Sequence, residues 1–160
     1  FRPLPAWSAN LGKRLSKSPK VHLIDCALTA HLAGNTAQSL AANPVYLGGL
    51  LETFVVAELR KQAARSDTGV KLFHYRTAAG REVDLVIEDA AGRIAAIEVK
   101  SARGVAAKDF AGIDALAQDA GGRFCTGVVL YTGEQVVSFG RNRFAVPVTA
   151  LWAARADLGD

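Results

Sequence analysis

The sequence predicts an α/β domain in which helices flank a mixed central β-sheet. Three apolar segments with strand-like alternation follow one another through short glycine-containing turns over residues 71–102. A helical pattern over residues 105–122 then leads into the continuous apolar segment TGVVLYTG at 126–133. Hairpins make consecutive strands antiparallel, whereas a helix between two strands allows them to lie parallel and adjacent. The predicted sheet therefore contains both kinds of pairing.

The first part of the chain predicts mainly helices. VHLID at 21–25 fits a short strand or a helix start, with Asp25 as the cap of a helix ALTAHLAG that ends at Gly34. The polar stretch NTAQSLAANP predicts a loop. LLETFVVAELRKQAAR at 50–65 has apolar residues at helical spacing and predicts the clearest helix of the chain.

The second part supplies the sheet. KLFHYRT, EVDLVIE and IAAIEVKSA predict three strands joined by the turns AAGR and DAAGR. VAAKDFAGIDALAQDAGG predicts an amphipathic helix that ends in glycines. FAVPVTALW predicts a last strand or extended edge, broken by Pro147.

The composition is that of one soluble domain. Half of the 160 residues are apolar, and no run of eighteen or more apolar residues or secretory signal is present, so we expect a cytoplasmic protein without membrane insertion. Cys26 and Cys125 belong to no Cys/His cluster and are expected as reduced, mostly buried thiols. Trp7 and Trp152 are expected to pack near the two ends.

Positive charge is concentrated at the start of the chain. The first twenty residues contain five basic and no acidic side chains, whereas the remainder contains 14 basic and 15 acidic ones. We expect residues 1–20 to be a basic linker and residues 21–160 to be the domain; the basic arm could also contact phosphate backbones. Because the chain starts at Phe1 and contains no methionine, we expect it to be a piece of a longer protein.

Charged side chains interrupt two of the predicted strands. Asp84 lies in EVDLVIE, and Glu98 and Lys100 share one face of IAAIEVKSA because they are two residues apart. If the turn leaves Glu88 opposite Ile94, Asp84 falls opposite Glu98 on the same face; a hairpin one residue tighter would separate them. Two carboxylates so close repel each other, and a divalent cation would relieve the repulsion.

The predicted helix at 50–65 adds two acidic candidates. On a wheel of about 100° per residue, Glu52 lies inside the apolar arc formed by Val55, Val56 and Leu59, where a solvated acid is unexpected. Glu58 lies at the margin of that arc and is a weaker candidate for the acidic site.

Several stretches together carry a family resemblance. SPKVHLIDCALTAHLAG, GGLLETFVVAELRKQ, FHYRTAAGREVDLVIE, AAIEVKSA and VVLYTG resemble the C-terminal domain of unknown function family 4143, which follows an AAA-type ATPase module in many bacterial and archaeal proteins. The order of Glu52, Asp84 and the element Glu98-Val99-Lys100 also resembles the PD-(D/E)XK nuclease superfamily. The resemblance spans residues 20–152 and implies a restriction-endonuclease-like core.

The resemblance implies a role for each matching position. Asp84, Glu98 and the Val99 carbonyl would hold Mg²⁺ or Mn²⁺, for which oxygen ligands are suited. Glu52 would bind the same ion through water or help to place a second one. Lys100 would orient the attacking water or offset charge on the phosphate.

The resemblance also implies partners. Arg76, Arg81 and Ser101 are expected, from position alone, to contact a nucleic-acid backbone. No GxxxxGK[ST] phosphate loop occurs, so we expect no ATP site in this chain and an ATPase module upstream of Phe1.

Two other interpretations of the charged residues are open. A nuclease-like fold without activity could serve as an interaction or regulatory module for its ATPase. Alternatively, Asp84, Glu98 and Lys100 could form a structural ion-pair network, although one lysine cannot neutralise three acids once Glu52 is included. His22, His31 and His74 share no spacing and are expected as surface or packed imidazoles.

Overall fold

The computed structural model describes residues 2–23 and 25–153. The strands are β1 (Arg2–Leu4), β2 (Lys20–His22), β3 (Lys71–Arg76), β4 (Glu82–Glu88), β5 (Ile94–Lys100), β6 (Phe124–Tyr131), β7 (Val137–Ser138) and β8 (Arg143–Pro147). The helices are α1 (Leu11–Ser16), α2 (Cys26–Leu32), α3 (Ala37–Ala42), α4 (Pro44–Arg65), α5 (Ala111–Ala120) and α6 (Ala150–Ala153).

Six strands form one mixed sheet in the order β3-β4-β5-β6-β8-β7. The β3, β4 and β5 neighbours are antiparallel, whereas β5 pairs with β6, and β6 with β8, in parallel. The helix α5 connects β5 to β6, as a crossover between parallel strands requires. The predicted α/β class, the hairpins and the parallel β5–β6 pair are thereby confirmed.

The two faces of the sheet are covered by different helices. Ile94 and Ala96 of β5 pack in one core with Ile113 of α5, and Ile97 of β5 packs in a second core with Val55 of α4. This separation follows from the alternation of side chains along a strand. The helix α4 thus brings its own polar residues close to the sheet on one side.

The strand β4 is irregular around Asp84. Val83 and Val86 belong to the α5-side core, whereas Leu85 belongs to the α4-side core, so strict alternation is broken between Val83 and Leu85. The neighbouring strand β3 carries a bulge between Phe73 and Tyr75. The sheet is therefore distorted where the acidic residue of β4 is located.

The segment 2–20, expected as a linker, packs against the body of the domain. The strand β1 pairs with β2, and Leu4, Ala6 and Trp7 are fully buried. The indole of Trp7 contacts Tyr75 and donates a hydrogen bond of 2.7 Å to Glu88. The Trp7 amide also donates to the His74 carbonyl of β3, and the His74 amide donates to the Pro5 carbonyl, so the segment is attached to the sheet.

Other differences are local. The polar stretch 35–44, expected as a loop, contains the helix α3, because the Thr36 and Ser39 side chains form a capping box. The helix α4 begins at Pro44, earlier than predicted, because Asn43 caps it. The end of FAVPVTALW is the short helix α6. The predicted cap Asp25 accepts hydrogen bonds from the amides of residues 27 and 28.

The expectations for individual thiols and indoles are only partly met. Both cysteines are free, as expected, but Cys26 is half-buried and Cys125 is exposed, so neither is a core thiol. Trp7 is buried, whereas Trp152 is 43% exposed and packs on Phe54. Within residues 2–23 and 25–153, no helix combines the length and apolar character needed to cross a bilayer.

Candidate functional site

Three carboxylates and two ammonium groups form two neighbouring groups of ion pairs beside the distorted part of β4. Glu52 comes from α4, Asp84 from β4, Glu98 and Lys100 from β5, and Lys20 from β2. We call these five residues the acidic cluster. Each comes from a helix or a strand.

Asp84 is the centre of the acidic cluster. The β4–β5 ladder has the predicted register, with Glu88 opposite Ile94, but its last pair is Leu85 with Ile97. Beyond that pair the Oδ2 atom of Asp84 accepts a hydrogen bond of 3.0 Å from the Val99 amide, so the carboxylate takes the place of a ladder carbonyl. This bond fixes the orientation of a side chain that is 11% exposed.

Lys20 bridges two acids of the cluster. Its Nζ atom lies 2.5 Å from Glu52 Oε1 and 3.2 Å from Asp84 Oδ1. Burial opposes its charge, but the adjacent Asp84 and Glu52 raise the pKa of the ammonium above its usual range. Lys20 is therefore charged at neutral pH.

Glu98 and Lys100 form a second ion pair. The Lys100 Nζ atom donates a hydrogen bond of 2.8 Å to Glu98 Oε1, which agrees with their expected common face. The other oxygen, Glu98 Oε2, is buried without a hydrogen-bond partner. Burial, followed by repulsion from Asp84, raises the pKa of Glu98 to about 7.

Glu52 faces a buried histidine. The Nε2 atom of His22 lies 3.7 Å from Glu52 Oε1 and makes no hydrogen bond. Burial, followed by the positive charge of Lys20, lowers the pKa of His22 to about 4, so its ring is neutral at pH 7. Burial and Asp84 raise the pKa of Glu52. Both side chains are thus held in a poorly solvated pocket.

The donor types in the cluster suit a hard divalent cation, but their present arrangement is held by Lys20. The unpartnered Glu98 Oε2 and the excess of carboxylates over ammonium groups favour an additional cation. No group of three or more His, Cys, Asp or Glu side chains is arranged as a metal site within the described part of the chain. The ammonium of Lys20 lies between two of the acids that the sequence analysis selects as ligands.

The three residues predicted to contact nucleic acid, Arg76, Arg81 and Ser101, do not belong to the acidic cluster. Arg76 is exposed and forms an ion pair of 3.0 Å with Glu82, and Arg81 is exposed in the following turn. The Ser101 hydroxyl donates to the Pro44 carbonyl at the start of α4. Their contact with nucleic acid stays a prediction.

Glu58 and two of the histidines take no part in the cluster. Glu58 forms an ion pair with Lys61 on the same helix. His31 is exposed, and His74 is buried with its Nε2 atom 3.2 Å from the Ser18 carbonyl. Both positions agree with the expected surface or packed imidazoles.

An open groove adjoins the acidic cluster. It has a volume of 440 Å³, and its lining includes Lys17, Lys20, Arg76 and Glu82. The groove joins basic side chains of the N-terminal segment to the edge of β4. A polyanion lying in it would contact Lys17 and Arg76 next to the acids.

Sequence reasoning missed Lys20 and His22. The sequence analysis places Lys20 in the linker and expects His22 as a surface or packed imidazole. The signal was present in the alternation of KVH, since Lys20 and His22 are two residues apart and share a face once this stretch is a strand. Their partners are distant in sequence, so only the fold brings them together.

Comparison with known proteins gives a family without an assigned activity. The model of one family, described as "Domain of unknown function (DUF4143)", matches residues 47–151. Two uncharacterized proteins, from Mycobacterium bovis and Mycobacterium tuberculosis, are each 36% identical over 100 residues. The match covers 62% of this chain and 21% of each relative, so the chain spans about a fifth of those proteins. No solved structure matches the chain significantly.

Proposed function

This chain belongs to the DUF4143 family, and we propose that it is a nuclease-like domain that cleaves phosphodiester bonds of nucleic acid with Mg²⁺ or Mn²⁺. The observation that carries the proposal is the position of Asp84. Its carboxylate is oriented by the Val99 amide in the gap where β4 and β5 part, beside Glu98, Glu52 and Lys100.

Each residue of the cluster has a proposed task. A bound divalent cation supplies a Lewis acid that lowers the pKa of water and offsets charge on a phosphate. Asp84, Glu98 and the Val99 carbonyl would hold that cation, and Glu52 would contribute through water or to a second ion. Lys100 offsets negative charge on the phosphate from the edge of the pocket, where its side chain is 36% exposed.

The proposed function also concerns the fold superfamily, the accompanying module and the surface that would bind nucleic acid. We propose that the mixed sheet is a PD-(D/E)XK core and that an AAA-type ATPase module accompanies it in the whole protein. A strand of DNA or RNA would lie in the groove beside Lys17 and Arg76, since these cations can contact successive phosphates.

The first test is metal binding. Calorimetry with Mn²⁺ should show binding to the wild type and none to Asp84→Ala. Asp67→Ala is the matched control, because Asp67 is an exposed acid outside the cluster. Equal Mn²⁺ affinity in wild type and Asp84→Ala would rule out the proposed ligands.

The second test is cleavage. Supercoiled plasmid, single-stranded DNA, branched DNA and RNA are incubated with the wild type, Lys100→Ala and Lys61→Ala in Mg²⁺ or Mn²⁺. Lys61 pairs with an acid on the same helix as Glu52 but outside the cluster, so its variant controls for loss of one positive charge. Cleavage that Lys100→Ala retains at the wild-type rate would come from another site or a contaminant.

A noncatalytic role is the second candidate, and Lys20 favours it. Two ammonium groups, together with a proton on Glu98, balance three carboxylates without a metal. The domain would then act as an interaction or regulatory module for an ATPase. This candidate predicts no cleavage of any substrate with either metal, and stable association with the ATPase region of the whole protein.

A further inference from the structure

Lys20 stands in the position that a cation shared by Glu52 and Asp84 would take. Its Nζ atom lies 2.5 Å from one carboxylate and 3.2 Å from the other. An ammonium and a divalent cation attract the same oxygens and repel each other, so both cannot occupy this space. The two ions must compete.

The structure gives Lys20 room to move. Its side chain is 31% exposed, and it forms part of the wall of the 440 Å³ groove. Glu82, whose side chain is 42% exposed, lines the same groove and offers a solvated carboxylate near the displaced ammonium. Lysine has four rotatable bonds in its stem, so its head group can move without displacement of β2.

The Glu52 carboxylate would lose its ion-pair partner when Lys20 leaves. His22 is 6% exposed and directs an unpartnered Nε2 atom at the same Glu52 oxygen. One ring nitrogen at 3.7 Å from Glu52 does not replace an ammonium that contacts both carboxylates. The vacated space therefore favours another cation.

We propose that Lys20 is a built-in counter-ion that must leave the space between Glu52 and Asp84 before a divalent cation binds, and so sets the threshold for metal loading. The inference rests on the proposed function, because it assigns regulation to the same site. It assigns a task to Lys20, which does not belong to the set of Glu52, Asp84, Glu98 and Lys100 proposed for metal binding and catalysis.

Mn²⁺ calorimetry on four proteins tests the inference without any measurement of activity. Lys20→Met should bind Mn²⁺ about tenfold or more tightly than the wild type, because it removes a charge in direct competition. Lys20→Arg keeps the charge and should stay near the wild-type affinity. Lys17→Met should change affinity by less than about threefold, since Lys17 is exposed and its Nζ donates to the Arg76 carbonyl.

Folding is checked separately by circular dichroism and urea denaturation. If Lys20→Met does not fold, Lys20→Gln retains a donor toward Asp84 and serves as the neutral variant. Unfolding of both neutral variants would overturn the inference, because Lys20 would then be an obligatory ion-pair partner of the fold.

The outcomes separate the inference from the proposed function. Tighter binding by Lys20→Met than by a wild type that also binds supports both. Binding by Lys20→Met alone supports the inference and contradicts metal dependence in the wild type. Equal or weaker binding by Lys20→Met, with a wild type that binds, overturns the inference and leaves the function standing. Absence of binding in both proteins overturns both.

Discussion

Replacement of Glu98 by glutamine should change how folding stability depends on pH. Burial and repulsion from Asp84 raise the pKa of Glu98 from 4.5 to about 7, and its side chain is only 13% exposed. The folded state therefore retains a proton that the unfolded state loses between these pH values, so stability falls as pH rises through them. At about 1.36 kcal/mol per pH unit, the loss amounts to roughly 3 kcal/mol.

A second group works in the opposite direction. Burial and Lys20 lower the pKa of His22 from 6.5 to about 4. The unfolded state then takes up a proton first, so stability is lost as pH falls from 6.5 to 4. Glu98 and His22 therefore act in opposite directions over their common pH range. The contribution of Glu98 becomes visible only in the difference between variant and wild type.

The measurement is urea denaturation at pH 4.5, 6 and 7.5 in buffer containing EDTA. The stability of Glu98→Gln relative to wild type should increase by about 3 kcal/mol from the lowest pH to the highest. Glu134→Gln is the control, because Glu134 is 84% exposed, and its difference from wild type should stay constant within about 0.5 kcal/mol. A change of less than about 1 kcal/mol for Glu98→Gln would refute the reasoning.

Two further pairs of variants test the fold by urea denaturation followed by circular dichroism. Trp7→Ala should lose about 3–5 kcal/mol, because the indole is fully buried, whereas Trp152→Ala should lose less than about 1.5 kcal/mol. Similar losses would show that the N-terminal segment does not belong to the core. Gly112→Ala should lose at least about 1–3 kcal/mol, since its new Cβ would lie 1.7 Å from the Glu82 carbonyl oxygen. Gly49→Ala should gain up to about 1 kcal/mol, because its Cβ would enter open space, and a loss at this position equal to that of Gly112→Ala would contradict the packing.

The central part of the sheet was predictable because its signals are local. Alternating apolar residues define β4 and β5, and the short turn between them fixes Glu88 opposite Ile94. The ladder ends at the pair Leu85–Ile97, so Asp84 and Glu98 do not pair within it as the extrapolated register predicts. The Asp84 carboxylate accepts the hydrogen bond of the Val99 amide in place of a ladder carbonyl. Hydrophobic periodicity cannot predict such a hydrogen bond.

The packing of the N-terminal segment was not predictable, because charge and apolar residues gave conflicting signals there. Five basic residues suggested a solvated linker, whereas Leu4, Ala6 and Trp7 supply the apolar contacts that attach the segment to the sheet. A two-stranded pairing as short as β1 with β2 has little propensity of its own and depends on tertiary contacts. Sequence patterns within one segment cannot report those contacts.

The proximity of the acidic residues was predictable, but their counter-ion was not. Glu52 is identifiable because it is a polar residue within an apolar helical arc. Asp84 and Glu98 are identifiable because they are charged residues within apolar strands. Lys20 has no such anomaly, since a lysine in a basic stretch is ordinary. Its importance comes entirely from the acids that it meets in the folded chain.

The strand β2 lies outside the region that the family match delimits, and this has a practical consequence. A fragment trimmed to residues 47–151 would keep every acid of the cluster but discard Lys20 and His22. Such a fragment would also lack the buried Leu4 and Trp7 and, under the proposal above, the counter-ion that competes with a divalent cation. Metal preferences recorded on it would then describe the truncation rather than the native protein.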